Sequence, residues 1–339
     1  MSTPPDPVQH PAVEVDVLIV GAGPCGLYGA YYAGFRGLTV AVVDSLPEAG
    51  GQITALYPEK MIFDIAGFPS VRGKDLVDNL VAQAAPFDPI YLLGEQAVAY
   101  EQLPDAALIR CASGRTVRAR AVVVTGGIGT FNPRPLPGAA DWVDRGLAYI
   151  VPTYGPYADK DVVVVGGGDS AVDWALGLEP VARSVTVVHR RDDFRAHGHS
   201  VKLLRSSTVT LVTPAQVVGM DGAQHVESVS VRDVKTKAVT VLPAQAVVAA
   251  LGFTADITPL EAWGLDVQDR HIVVDTSMAT NLPRVFAAGD ITEYPGKVRL
   301  ISVGFGEAAT AVNNAATVID PAAEVFPGHS TDQVAGSVA

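Results

Sequence analysis

Cysteine is nearly missing from this chain: of 339 residues only Cys25 and Cys111 carry thiols, far apart and in no metal-ligand spacing. That excludes a disulfide framework and a cysteine-held zinc. Long apolar runs are missing too. The strongest, 15–20 and 246–253, fall far short of the roughly 20 residues that a membrane helix needs, so no spanning segment is expected. The first 11 residues are polar and proline-rich without a basic stretch. No secretory signal is therefore expected, and the cytoplasm follows as the expected location. Positive charge is in deficit, with 24 Lys and Arg against 36 Asp and Glu and a net charge of −12. That balance disfavours nucleic acid or an anionic membrane surface as the main partner, although a local basic patch can still steer an acidic protein. Paired catalytic carboxylates, a nucleophile with its base and a metal-ligand cluster are all missing from the motifs, so no metal is expected.

What is present is apolar and glycine-rich: 48% of the residues are hydrophobic and 18% charged. The length suits two domains, each with its own core. Two dinucleotide fingerprints stand out. Gly21-Ala22-Gly23-Pro24-Cys25-Gly26 follows the apolar run 15–20 and opens a helical stretch that leads to a second strand ending in Asp44. Gly166-Gly167-Gly168-Asp169-Ser170-Ala171 follows 162–165 and leads through 185–188 to His189-Arg190-Arg191. Each reads as strand, tight turn, helix, strand. In such a unit the glycines let backbone N–H groups approach a pyrophosphate at the helix N-terminus.

Asp44 follows Gly21 by 23 positions, and His189 follows Gly166 by the same 23. The register is the same and the charge is reversed. A carboxylate at this point accepts hydrogen bonds from a ribose 2′-OH and repels a 2′-phosphate, so the first unit takes FAD or NAD. Arg190 and Arg191, with Arg195 a turn further on, offer forked donors to a 2′-phosphate, which selects NADP(H). In the second unit the expected contacts are Gly166, Gly168, Asp169, Ser170, Ala171, His189, Arg190, Arg191 and Arg195. The alternative for the arginines is a solvated charged face. Cys25, at a helix N-terminus, reads either as a reactive thiolate or as a small packed residue, and packing is the better reading.

The pattern predicts an α/β protein of two Rossmann-like dinucleotide-binding domains, the first discontinuous. The boundaries are 1–128 with 255–339 for the first domain and 129–254 for the second. Between the fingerprints, 50–52 opens a polar loop, 73–85 reads as a helix, and 95–102, 107–112 and 116–124 alternate as short strands. The stretch 285–290 and a helix over 305–318 have no partner fold of their own, so they return to complete the first domain. Hinges are expected at 126–131 and 251–256, where glycines interrupt apolar strands.

With both fingerprints and the Ala288-Gly289-Asp290 segment in place, the chain resembles the two-domain flavoprotein reductases of the thioredoxin-reductase-like group. The resemblance runs from about residue 15 to the C-terminus, through Gly51-Gln52, the run 166–173, the run 189–196 and Gly289-Asp290. Thioredoxin reductases carry a Cys-x-x-Cys pair shortly before the second fingerprint, and glutathione-reductase-like enzymes carry theirs in the loop after the ribose acid. Both stretches lack cysteine here. With Tyr57-Pro58-Glu59-Lys60, Ala66-Gly67-Phe68-Pro69 and the tail Gly328-His329-Ser330-Thr331, the chain looks like the ferredoxin–NADP reductases of thioredoxin-reductase type.

That resemblance implies FAD in the first domain, its ring held between Tyr57 and His329 of a tail that covers it. By motif, Gly21, Gly23, Gly26, Asp44, Gln52, Tyr57, Val98, Phe131, Asp290 and Thr331 would contact FAD. It also implies electron exchange between NADPH and ferredoxin, or a flavodoxin-like carrier, and a homodimer. Lys60, Arg72 and Lys74 are candidate cations for docking an acidic ferredoxin. The competing expectations are an NADPH oxidase or quinone reductase without a protein partner, and an FAD- and NADPH-binding redox sensor without turnover.

Overall fold

The computed structural model describes residues 12–127 and 130–328. They fall into two compact units. The first holds the chain up to Thr54, Met61–Thr130 and the chain from Asp256 onward; the second holds Ala55–Lys60 and Phe131–Ala255.

In the first unit a seven-stranded sheet runs, in spatial order, Ile90–Leu93, Val40–Asp44, Val13–Val20, Thr116–Val124, Ala107–Cys111 and Ala97–Gln102, with Val285–Ala287 branching from Thr116–Val124. Val17, Leu18 and Ile19 are all fully buried, as expected of a central parallel strand covered on both faces. Thr116–Val124 changes character along its length. Its first half alternates between buried and partly exposed residues and pairs antiparallel with Ala107–Cys111, whereas Val122, Val123 and Val124 are buried and pair parallel with Val285–Ala287. One strand thus serves a half-solvated meander and a doubly covered sheet, and its sequence carries both periods.

Helix Pro24–Phe35 opens with proline in its first turn, where the missing N–H costs nothing. Helix Gly73–Ala84 buries Leu76, Val77, Leu80 and Ala84 along one stripe. The long helix Ile301–Ile319 buries mostly small residues, among them Gly304, Ala308, Ala311 and Ala315, which let it approach closely. It begins four residues before the expected start at 305. Val303 and Gly304 weaken helix propensity in that first turn and hid it from a reading of periodicity. The polar loop expected from residue 50 is a short helix, Gln52–Leu56.

In the second unit five parallel strands run Leu147–Ala148, Ala246–Ala249, Asp161–Val165, Ser184–Val188 and Thr210–Val212. Helix Asp169–Leu178 buries Ala171, Val172, Trp174, Ala175 and Leu178 in the core of this unit. An antiparallel sheet of Ala215–Asp221, Ser228–Asp233 and Val239–Pro243 follows.

The duplication extends to individual hydrogen bonds. Gly21 N donates to Val43 O at 2.8 Å and Gly166 N to Val188 O at 3.0 Å, while Thr125 N donates to Val20 O at 2.7 Å and Ala250 N to Val165 O at 2.8 Å. Two Rossmann-like units are therefore present, the first assembled from separated stretches of chain. The chain passes between them on strands Thr130–Pro133 and Phe253–Asp256, which pair as a two-stranded ribbon. The expected crossing at 254/255 falls inside the second of these strands; the one at 128/129 lies outside the described residues. Among the described residues no helix is long and apolar enough to cross a membrane.

Candidate functional site

Around the first fingerprint the glycines divide into two kinds. Gly21 has φ +117°, and a Cβ there would lie 2.7 Å from the Thr125 carbonyl. A Cβ on Gly26 would overlap the Gly21 carbonyl oxygen. These two residues let strand, turn and helix close on one another. Gly23 differs, because a Cβ there would meet nothing within 4 Å. It is the N-cap of helix Pro24–Phe35, whose first turn carries neither an acidic residue nor a side-chain cap. The helix thus presents its first N–H groups beside open space, the arrangement that binds a phosphate.

Asp44 is fixed at the end of its strand: Oδ2 accepts from Ala22 N at 2.6 Å and Oδ1 from Leu46 N at 2.8 Å. Burial pushes its carboxyl above the usual range, and the two amides oppose that shift. Gly50 N donates to Ala22 O at 2.8 Å, and a Cβ on Gly51 would lie 2.9 Å from Gly23 Cα. Gln52 follows at the start of its short helix, its Nε2 within 3.0 Å of where a Cβ on Gly127 would stand. The fold therefore gathers Gly21, Gly23, Gly26, Asp44 and Gln52 into one place.

Asp290 joins them from the far end of the chain. Ala288 N donates to Val124 O at 2.9 Å, which sets the Gly289-Asp290 turn at the top of the sheet. A Cβ on Gly289 would lie 3.0 Å from Cys25 Sγ, so this turn packs on the first turn of the fingerprint helix. Burial raises the Asp290 carboxyl, with the Lys297 and Arg299 cations pulling it back. Burial, with Asp290 and Glu307 nearby, pushes the Cys25 thiol up to about 12, and burial takes Cys111 to about 11. Neither is poised as a nucleophile.

The other predicted positions are more dispersed. Val98 lies half-buried at the bulge of the edge strand Ala97–Gln102. Phe131 lies on the ribbon strand Thr130–Pro133. Tyr57 belongs to the segment grouped with the second unit, where Lys60 sits over its ring at 5.6 Å and pairs with Asp173 at 2.6 Å. His329 and Thr331 lie outside the described residues.

In the second unit Gly168 repeats the role of Gly23, with open space around a Cβ at the helix N-cap. Ser170 and Ala171 stand in the first turn, Ser170 exposed and Ala171 buried. Asp169 would oppose a phosphate there, but its Oδ1 accepts from His197 N at 2.8 Å and so anchors the following loop. A Cβ on Gly166 would overlap the Ala250 carbonyl.

His189 stacks on Phe194 with centroids 5.4 Å apart, and burial followed by Arg190, Arg191 and Arg195 lowers its pKa, which keeps the ring neutral at neutral pH. Its Nε2 is buried without a hydrogen-bond partner among the described residues, covered by the close approach of Gly167. The arginines are exposed and line an open cleft of about 460 Å³ with Lys235 and Val234 from the opposite hairpin. Arg195 N donates to Gly167 O at 2.8 Å, tying the arginine loop to the glycine loop.

Two residues here escaped the sequence reading. Gly167 is required because a Cβ would come within 2.4 Å of the His189 ring, a contact that no spacing rule reports. Lys235 reaches the cleft by the return of a hairpin, and there its Nζ pairs with Asp192 at 2.9 Å. Among the described residues no group of His, Cys, Asp and Glu could hold a metal ion.

Two Rossmann-like units with opposite charges at their equivalent strand ends define a flavin- and pyridine-nucleotide-type oxidoreductase. Residues 15–315 match the family model described as pyridine nucleotide-disulphide oxidoreductase, and the chain belongs to that family. The protein named Ferredoxin–NADP reductase in Nocardioides sp. (strain ATCC BAA-499 / JS614) is 63% identical over 326 residues, covering 95% of this chain and 98% of that protein. The protein of the same name in Frankia alni (strain DSM 45986 / CECT 9034 / ACN14a) is 62% identical over 315 residues, covering 93% of this chain and 98% of its own. Among solved structures, thioredoxin reductase from T. acidophilum superposes with a TM-score of 0.78 at 25% identity, covering 89% of this chain and 97% of that one.

Proposed function

We propose that this protein is a ferredoxin–NADP reductase that uses FAD, exchanging electrons between NADPH and ferredoxin or a flavodoxin-like carrier, as a cytoplasmic homodimer. The observation that carries the reading is the contrast at equivalent strand ends: Asp44 ends the second strand of the first unit, whereas a neutral His189 followed at once by Arg190 and Arg191 comes after the second strand of the other. The missing dithiol supports it, since the only cysteines, Cys25 and Cys111, are free and remote from any Cys-x-x-Cys spacing. The relatives' shared name points to the carrier protein as partner.

The residues fit both cofactors. The open face at Gly23 and the uncapped helix start suit the FAD pyrophosphate, Asp44 the adenosine ribose and Asp290 the ribityl chain. Gln52, Tyr57, Val98, Phe131, Thr331 and His329 complete the proposed set. On the other unit Gly168 opens the pyrophosphate face, and Ser170 and Ala171 offer the first helical turn. His189 stacks on Phe194 beside the arginine run, and Arg190, Arg191 and Arg195 take the 2′-phosphate. Bound FAD supplies the conversion between a two-electron hydride and single electrons. The chain binds, orients and selects by charge.

The test is anaerobic. The purified protein should be bleached by NADPH, and much less by NADH, then recover its yellow colour when oxidised ferredoxin is added. Replacing Arg190 and Arg191 by Ala should raise the KM for NADPH by about 100-fold, the loss of two charge-assisted hydrogen bonds of roughly 1.5 kcal/mol each, with NADH unaffected. Reduction of thioredoxin, or reoxidation by oxygen or quinone but not by ferredoxin, would overturn the assignment.

A further inference from the structure

Lys297, Glu307 and Tyr294 belong to none of the motifs above, yet they form a buried ionic group beside the Gly289-Asp290 turn. The Lys297 and Glu307 side chains are 1% and 5% exposed. Every hydrogen-bonding position of the pair is filled. The ammonium donates to Glu307 Oε1 at 2.5 Å, to Glu307 Oε2 at 2.6 Å and to the Gly289 carbonyl at 3.0 Å. The carboxylate accepts in addition from Gly289 N at 2.8 Å and from the Tyr294 hydroxyl at 2.5 Å. An ammonium has three donors and a carboxylate about four acceptor sites, so the group has no capacity left for a ligand.

A buried ion pair is a poor way to gain stability, because an apolar pair of the same volume avoids the desolvation of two charges. This one does something an apolar pair cannot. It grips one residue through both of its flanking peptide groups, Glu307 holding the N–H of Gly289 and Lys297 holding its carbonyl, with the Thr292 hydroxyl on the same carbonyl at 2.8 Å. Gly289 has φ +83°, a conformation that free backbone does not hold firmly, and the next residue is Asp290. We infer that Lys297 and Glu307, supported by Tyr294, are positioning residues that fix the peptide groups on either side of Gly289 and thereby aim the Asp290 carboxylate at FAD.

This rests on the assignment of FAD to the first unit. The charged and titratable groups facing Asp290 are Lys297 and Arg299 from the segment before the long helix, Glu307 on that helix, His271 on strand His271–Val273 and Cys25 on the fingerprint helix. Of these, Lys297 does most to keep Asp290 ionised.

The test is FAD titration into flavin-free protein, followed by flavin fluorescence, for the wild type, K297M, E307Q and the double variant K297M/E307Q. NADP+ titration serves as the control for folding. K297M and E307Q are expected to weaken FAD tenfold or more and leave NADP+ affinity within twofold. The double variant, which is uncharged but cannot donate to the Gly289 carbonyl, should stay weakened, and full recovery of FAD affinity in it would show that charge balance and not the grip on Gly289 is what matters. The pH at which acid releases FAD should move up in K297M, since Asp290 loses a neighbouring cation and protonates earlier. It should move down in E307Q, since Asp290 loses a neighbouring anion. A packing role alone would weaken binding equally at every pH. FAD affinity within twofold of wild type in E307Q, or a release pH that moves in neither single variant, overturns the inference. If K297M fails to fold, E307Q with Y294F decides it by the same twofold limit. Wild-type protein that takes up no FAD at all overturns the functional reading first, and this inference with it.

Discussion

At the scale of single residues, position outweighs chemical type. Cys25 sits at a helix N-terminus, where a thiolate is ordinarily favoured, yet burial and the neighbouring Asp290 and Glu307 push its thiol up to about 12. Cys111 is pushed to about 11 by burial and Glu95. At pH 7 a thiol of pKa 12 is ionised to about one part in 10⁵. Iodoacetamide at pH 7 should therefore leave both cysteines of the native protein unmodified over an hour and label both in denaturant, as read by intact mass. Stoichiometric labelling of the native protein would contradict this and reopen thiol chemistry. Asp44 shows the same rule in the other direction. The sequence places it at a strand end, but only the fold shows the Ala22 and Leu46 amides that lock its orientation.

At the scale of elements, one close approach organises the first unit. Helix Pro24–Phe35, the Gly289 turn and helix Ile301–Ile319 converge on the Cys25 side chain. A Cβ on Gly304 would overlap Cys25 Sγ and come within 3.2 Å of Gly289 Cα. Gly304→Ala should cost about 1–3 kcal/mol, the usual penalty of overpacking. Cys25→Ala should remove most of that penalty, a coupling of about 1–2 kcal/mol in a double-mutant cycle read by denaturant unfolding. Additive effects would show that the two helices do not meet through this sulfur. The glycine at 304 is also why the start of the long helix was hidden, since the residue that permits the packing is a poor helix former.

At the scale of the molecule, each unit owns its core. The first is built on Val17, Leu18, Ile19 and the strand Thr116–Val124, and the second on Val162, Val164, Trp174 and Leu178. Removal of FAD should therefore leave NADP+ affinity within about twofold, measured by calorimetry on the flavin-free protein, because nothing in the second core depends on the flavin. A tenfold loss would show that the NADP site is completed by the flavin-loaded first unit. The net charge of −12 makes an acidic carrier depend on local cations. Of the three candidates, Lys60 already pairs with Asp173 at 2.6 Å and Arg72 with Asp75 at 2.6 Å, which leaves exposed Lys74 as the first to replace. Lys74→Glu is expected to raise the KM for ferredoxin severalfold at low salt and little at high salt; salt-independent kinetics would place docking elsewhere.

The sequence by itself determined the duplicated strand-turn-helix-strand units, their equal 23-residue spacing and the sign of the charge at each strand end. These are local properties: strand and helix periods fix where a side chain emerges, and one carboxylate or one arginine run then decides whether a 2′-phosphate is tolerated. Only the tertiary structure decided how Gly50 and Gly51 close on Ala22 and Gly23, how Lys235 comes to face the arginines, and how Lys297 and Glu307 grip Gly289 through both of its peptide groups. Those contacts join residues from separate elements through hairpin returns, helix packing and burial, and none of these leaves a periodic trace along the chain.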